Sequence, residues 1–200
     1  FVRRRNKTFV DYWFSWKNNK INSMFSNVIF IGGIHGVGKS TICQHICREL
    51  NMEYLSASEV LKWEDINEDV KNKKVENIPF TQNRLITGLK NTLQEDKNYL
   101  LDGHYCLLNK DNEVEKISLD TFNQINPIAL VLILGDVKEI KKRLETRDNK
   151  PYEFELLERL QNSQLAYAKV LSEVLNIPLH IGKNDDYSNI LVSLREMIKN

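Results

Sequence analysis

A chain of 200 residues, 42% hydrophobic and 28% charged with only 8 Gly and 4 Pro, is an ordinary globular protein of one domain, not a disordered, collagen-like or two-domain chain. No apolar run approaches the roughly 18 residues that cross a bilayer, and the start FVRRRNKTFVDYWFSW has no secretory cleavage pattern. Three cysteines without CxxC spacing make neither a disulfide framework nor a zinc site, so a reducing, cytoplasmic setting is expected. A first residue other than Met is what a trimmed or partial chain would show. The formal net charge of +1 conceals a split: residues 1–27 carry six basic groups against Asp11, and the remainder carries 22 basic and 26 acidic groups.

The first segment, residues 1–23, is a basic aromatic arm in which Arg3, Arg4, Arg5, Lys7, Lys17 and Lys20 are interleaved with Phe1, Phe9, Tyr12, Trp13, Phe14 and Trp16. Such interleaving suits stacking on nucleic-acid bases, a membrane surface or the groove of a protein partner. Equally, Tyr12, Trp13 and Trp16 read as a helix face docked on the domain, or the arm as a remnant of another module. The domain proper, residues 24–200, opens at Met24.

From Asn27 onward short apolar runs alternate with amphipathic stretches, the pattern of an α/β protein with a parallel sheet. VIFIG at 28–32 is the first strand, 40–50 the first helix with Cys43 and Cys47 as packed thiols, and 53–55 a weaker second strand. Residues 62–77 form a charged, solvated insertion. A helix is expected over 81–95, where Leu85, Leu89 and Leu93 recur every four residues, followed by strands at 99–101 and 128–134. Asp136, with Glu139 three residues later, caps the start of the next helix. Residues 152–175 give a long helix with Leu157, Leu160, Gln164, Tyr167, Leu171 and Val174 near one face, and 178–181 a last strand.

One motif fixes the chemistry of the site. Residues 33–40 read GIHGVGKS, a full match to GxxxxGK[ST], between an apolar strand and a helix. Gly33, Gly36 and Gly38 let the loop turn its backbone N–H groups inward on a polyphosphate, and the helix that begins with Ser40 and Thr41 adds its dipole. Lys39 reaches the β and γ phosphates and the Ser40 hydroxyl ligates Mg²⁺, which makes ATP and Mg²⁺ the expected cofactors. His35 and Val37 complete the loop, the His35 side chain directed away from phosphate.

Two further elements lie where such a site needs them. LDGHY at 101–105 places Asp102 at the end of a buried strand, where a carboxylate holds a Mg²⁺ water or accepts a substrate proton, or else satisfies turn amides. His104 is there to touch substrate or to serve the fold. Arg143 and Arg147, four apart on the helix capped by Asp136, suit a mobile lid over transferring phosphate or a plain solvated face. Gly103, Gly135 and Gly182 each fall just past an expected strand end, where ligands approach the backbone of open α/β sheets.

The order GIHGVGKST, LDGHY, the INP-led apolar strand over 125–134 and RLETRD resembles the P-loop nucleoside monophosphate kinases, most of all the archaeal-type adenylate kinases, over residues 24–200. The resemblance implies a P-loop NTPase fold of class α/β, a five-stranded parallel sheet in the order 2-3-1-4-5 flanked by helices, with the acceptor region between strands 2 and 3 and a short lid. It implies Arg143 near the adenine or phosphates, Arg147 on the transferring phosphate, and the backbone of Gly182 and Lys183 beside the adenine. One departure stands out: where the family grips the acceptor phosphate with arginine, residues 70–79 offer Lys71, Lys73 and Lys74, with Arg84 the nearest arginine. Lysine lacks the bidentate fork.

The expected function is therefore an ATP- and Mg²⁺-dependent kinase that passes the γ-phosphate to a nucleoside monophosphate or nucleoside, with Arg84, Gln82 and His104 on the acceptor. Two alternatives stay open: a polynucleotide or RNA-end kinase whose arm tracks the strand, and a non-catalytic ATP-binding module whose arm docks on a larger assembly. Salt-dependent affinity for oligonucleotides separates the first of these.

Overall fold

A computed structural model describes residues 27–61 and 78–198. The arm, and the insertion at 62–77 with Lys71, Lys73 and Lys74, lie outside the described residues. In chain order the elements are β1 (Val28–Gly32), α1 (Lys39–Leu50), β2 (Glu53–Ser56), α2 (Ala57–Val60), α3 (Ile78–Thr92), β3 (Tyr99–Asp102), β4 (Cys106–Leu108), β5 (Val114–Lys116), α4 (Leu119–Ile125), β6 (Ala129–Leu134), α5 (Val137–Asp148), α6 (Phe154–Leu175), β7 (Leu179–Lys183) and α7 (Ser188–Ile198).

Continuous apolar runs with no polar alternation must be covered on both faces, and that is how β1 and β6 are used: every residue of VIFIG is buried, as are the first five of ALVLIL. The sheet is parallel throughout, in the order β2-β3-β1-β6-β7. Counted over this sheet alone, that is the expected 2-3-1-4-5. Phe30 sits in register with Leu101 on one side and Leu130 on the other, so the centre of the core is the centre of the sheet. The Phe30 ring packs against Tyr105 and Phe122, each at 5.1 Å between centroids.

Helix ends follow local chemistry. Asp136 accepts hydrogen bonds from the backbone N–H groups of Lys138 at 2.7 Å and Glu139 at 3.1 Å, the cap expected for α5. Ser118 caps α4 in the same way through Thr121. At the C-terminal ends, α1, α4, α5 and α6 stop on Asn51, Asn126, Asn149 and Asn176, each left-handed with φ between 50° and 53°.

Several expectations change. Helix α3 starts at Ile78, three residues early, because Pro79 fits a first helical turn where its missing N–H is not needed, and it ends at Thr92. Val174 is 55% exposed: about 100° per residue over seventeen residues leaves it more than a quarter-turn from Leu157, whereas the half-buried Leu175 closes whole turns. Strand β7 runs on to Lys183 and so contains Gly182. The antiparallel β4–β5 hairpin, α4 and α7 are additional elements. The hairpin turn is held by Asn109, whose side chain accepts from the N–H groups of Asp111 at 2.9 Å and Glu113 at 3.0 Å. Among the described residues no helix is long and apolar enough to cross a membrane.

Candidate phosphate-binding site

The phosphate loop joins β1 to α1 at the centre of the sheet edge. Gly38, at φ +102°, is the N-cap of α1, and Gly36, at φ +78°, lies under α5, where a Cβ would come within 2.7 Å of the Leu144 side chain. Side chains are excluded at Gly36 by backbone conformation and by space together. Arg143 closes this contact by donating from its guanidinium to the Gly36 carbonyl at 2.8 Å.

Lys39 is 7% exposed. Its ammonium donates to the Gly33 carbonyl at 2.7 Å and lies 3.7 Å from the Asp102 carboxylate, itself 12% exposed. Because β1 and β3 are adjacent and in register from Val28 with Tyr99 to Ile31 with Asp102, the loop lysine and the strand-end carboxylate face each other by construction. Tyr54, on β2, adds an unanticipated member: its hydroxyl donates to the other Asp102 oxygen at 3.2 Å and also hydrogen-bonds Ser40. Burial, then the Asp102 charge, push the Tyr54 hydroxyl far above its ordinary pKa, so it stays a donor. Ser40, Tyr54 and Asp102 thus bring three oxygen-bearing side chains to one place. Cys43 lies beside them, its thiol held well above the usual range by burial and then by Asp102.

The two arginines of α5 part company. Arg143 turns to the loop, whereas Arg147 forms a two-pronged pair with Asp148 at 2.7 and 2.8 Å, and Tyr152 donates to the same carboxylate. Arg147, foremost, holds the Asp148 carboxyl far below the usual carboxylate range. The segment expected as a lid is the helix α5, whose inner face carries the buried Ile140 and Leu144. The glycines at the strand ends also have another use: the space beside Gly103 is filled by the Phe30 ring at 2.7 Å, and that beside Gly182 by Ile190 at 2.6 Å.

His35 turns from the loop onto His104, with 4.2 Å between ring centroids, so the phosphate loop touches the segment after β3. Arg84 donates to the Leu61 carbonyl at 3.2 Å, tying α3 to the end of α2. Gln82 is on α3, its side chain outside the described residues, and Asn83 is exposed. Lys183, at the end of β7, is exposed, and the following Asn184 N–H donates to the Leu134 carbonyl at 2.9 Å, which draws β7 and β6 together at the site edge.

The sequence model of one family, described as an AAA domain, matches residues 32–161, well over half of the chain. The chain belongs to the AAA domain family. No curated protein matches it. This AAA domain is similar in fold to a gluconokinase from Sinorhizobium meliloti 1021 (TM-score 0.52, 14% identity, 87% of this chain and 90% of that one). It is similar also to a sugar kinase from Janibacter sp. HTCC2649 (0.51, 14%, 86% and 92%) and to a deoxyadenosine kinase from M. mycoides with bound dATP (0.52, 19%, 87% and 100%). At these identities the likeness is one of fold.

Sequence reasoning on this AAA domain placed Gln164 on the packed face of α6 but gave no role to it or to Gln161. Gln161 reads one peptide of the β6–α5 loop from both sides, accepting from Gly135 N–H and donating to Gly135 C=O, each at 3.1 Å. Gln164, fully buried, accepts from Tyr105 N–H at 3.0 Å and donates to Cys106 C=O at 3.4 Å. A buried glutamine on an otherwise apolar helix face was the available signal.

Proposed function

We propose that this AAA domain is an ATP- and Mg²⁺-dependent phosphotransferase that passes the γ-phosphoryl group to a small acceptor, a nucleoside monophosphate or a nucleoside. The observation that carries the proposal is the Lys39 ammonium 3.7 Å from the Asp102 carboxylate at the mouth of a complete phosphate loop. The names of the fold neighbours, which include a sugar kinase and a deoxyadenosine kinase, support a small-molecule acceptor. The motif order keeps adenylate kinases as the nearest resemblance.

The donor set of Ser40 and Asp102, with Tyr54 beside them, is all oxygen, which fits a hard divalent cation. When bound, Mg²⁺ would neutralise charge on the β and γ oxygens of ATP. Lys39 leaves the Gly33 carbonyl for those oxygens, and the loop N–H groups, with Val37, Gly38 and Thr41 in the turn and first helical turn, hold the polyphosphate. Arg143 is placed for the donor nucleotide and Arg147, once exchanged from Asp148, for the transferring group. The backbone at Gly182 and Lys183 borders the adenine. With a nucleoside, Asp102 takes the proton as the acceptor hydroxyl oxygen bonds to the γ-phosphorus and the bond to the ADP oxygen breaks; a monophosphate attacks through an ionised oxygen and gives up no proton. On the acceptor side His104 is better placed than Arg84, one of whose N–H groups is engaged by Leu61.

Mixing the protein with ATP, Mg²⁺ and a panel of nucleosides and nucleoside monophosphates, and following the β and γ phosphorus signals, tests the proposal. Asp102→Asn should lower kcat by about 10²-fold or more with ATP affinity changed only a few-fold, the loss typical of a displaced general base. ATP binding without product for any acceptor would favour the non-catalytic module instead.

The arm, residues 1–23, we assign to partner or polyanion binding. Its deletion should leave ATP affinity unchanged, since β1 and the loop supply that site, and should weaken salt-dependent binding to an oligonucleotide. Titration of both proteins with ATP and with a labelled oligonucleotide checks this; a collapse of ATP affinity would make the arm part of the kinase core.

A further inference from the structure

Beside the phosphate loop, between the β4–β5 hairpin and the start of α6, lies a cleft of about 250 Å³. His35 and His104 form its inner end, two residues from Asp102 and four from Lys39 along the chain. Leu108 of the hairpin, Leu156 of α6 and the Tyr152 ring are among its lining residues. We infer that this cleft is the acceptor site, and that the acceptor is an uncharged, hydroxyl-bearing molecule with a flat or apolar face, not a phosphate monoester. The inference rests on the phosphotransferase reading and gives that site its substrate class.

Three observations carry it. At about 250 Å³ the cleft falls just below the range of ligand pockets, roughly 300 to 1,000 Å³, a size that suits a single nucleoside or sugar unit. The lining is mainly leucine, with the paired His35 and His104 rings next to the phosphate loop and Asn112, Arg147, Lys150 and Glu153 as its other polar members, so a hydroxyl directed at the two histidines is directed at the loop.

The charges do not suit a dianion. Arg147 holds Asp148 with its Nε and Nη2 edge and is the arginine assigned above to the transferring group, while Lys150 lies 5.3 Å over the Tyr152 ring with the acidic Glu153 also in the lining. A phosphate monoester calls for an arginine fork presented to it. Among the described residues, the arginine lining this cleft presents its Nε and Nη2 edge to a neighbour in the chain. Two sources meet the same chemistry, a nucleoside and a neutral sugar.

The test measures ADP and phosphorylated product with four nucleosides, glucose as a neutral sugar, and the four corresponding nucleoside 5′-monophosphates, alongside ATP titration of the resting protein. Leu108→Trp and Leu156→Trp fill the cleft from two different elements, the second on a helix surface that tolerates the larger ring if the first fails to fold. The expected result is product from a nucleoside or from glucose, and in either variant a rise of tenfold or more in acceptor KM with ATP affinity within twofold of the parent. Whichever of the two acceptors is turned over names the source. A monophosphate turned over more efficiently than its parent nucleoside overturns the inference, as does an acceptor KM that both variants leave unchanged. ATP binding without product from any of the nine compounds overturns the underlying phosphotransferase reading, and with it this one.

Discussion

Replacing Lys39 with alanine should cut phosphoryl transfer by at least about 10³-fold, equivalent to about 4 kcal/mol of transition-state stabilisation. The ammonium is the fixed cation of the loop, and nothing else among the described residues lies at the same place between the Gly33 carbonyl and Asp102. The fold should feel the change too, because Lys39 is a buried side chain and not a surface one. Asp102 would lose its cationic neighbour while remaining largely out of water, and a fall in melting temperature of a few degrees should follow. ADP release in the presence of acceptor and a thermal melt read the two effects separately. Wild-type turnover by Lys39→Ala would end the phosphotransferase assignment.

The largest purely structural effect is expected at Gln164. Its amide serves two backbone groups in a fully buried setting, Tyr105 N–H and Cys106 C=O. Leucine is close in size but leaves both groups without a partner, at roughly 1 to 3 kcal/mol each, so Gln164→Leu should destabilise the protein by about 2 to 6 kcal/mol. The loss should concentrate in the segment after β3, since Tyr105 is anchored there also through its hydroxyl on the Val131 carbonyl at 2.9 Å. Gln161→Leu should cost less, because its partner peptide at Gly135 is partly exposed. Urea unfolding of both variants gives the comparison, and equal stabilities would mean that water replaces the Gln164 amide.

The buried strands and the phosphate loop were legible because each rests on a strong local signal, whereas the full strand order came from the family resemblance. VIFIG and IALVLIL are too apolar to lie anywhere but mid-sheet, and GIHGVGKS has a spacing that chance seldom supplies. Asp136 was legible as a cap because its side chain acts within three residues of itself. The β4–β5 hairpin was not, since CLLNKDNEVEK has little of the β-branched alternation that marks a strand and is held by the Asn109 turn and by packing on α6. Helix α7 could have been read from Ile190 and Leu194, which recur at helical spacing and are both buried. Tyr54 shows a different limit: nothing near residue 54 announces a partner at residue 102, and only the pairing of β2 with β3 brings them together. The acceptor side is the least legible of all, because the two sides of the problem, a cleft and the charges around it, are made by residues far apart in sequence.

The three cysteines of the chain are all buried, and burial, before any other influence, pushes Cys47 and Cys106 up to about 11 and Cys43 higher still. At neutral pH such thiols are almost wholly protonated and react with alkylating reagents only when the surrounding structure opens. The molecule therefore carries its own chemical clock with three hands. Cys43 ticks beside Asp102, Cys106 lines the cleft, and Cys47 sits one helical turn further along α1, where it keeps time for the helix as a whole. Occupancy of the phosphate loop and of the cleft should slow different hands, so that one labelling reaction distinguishes where a ligand has gone.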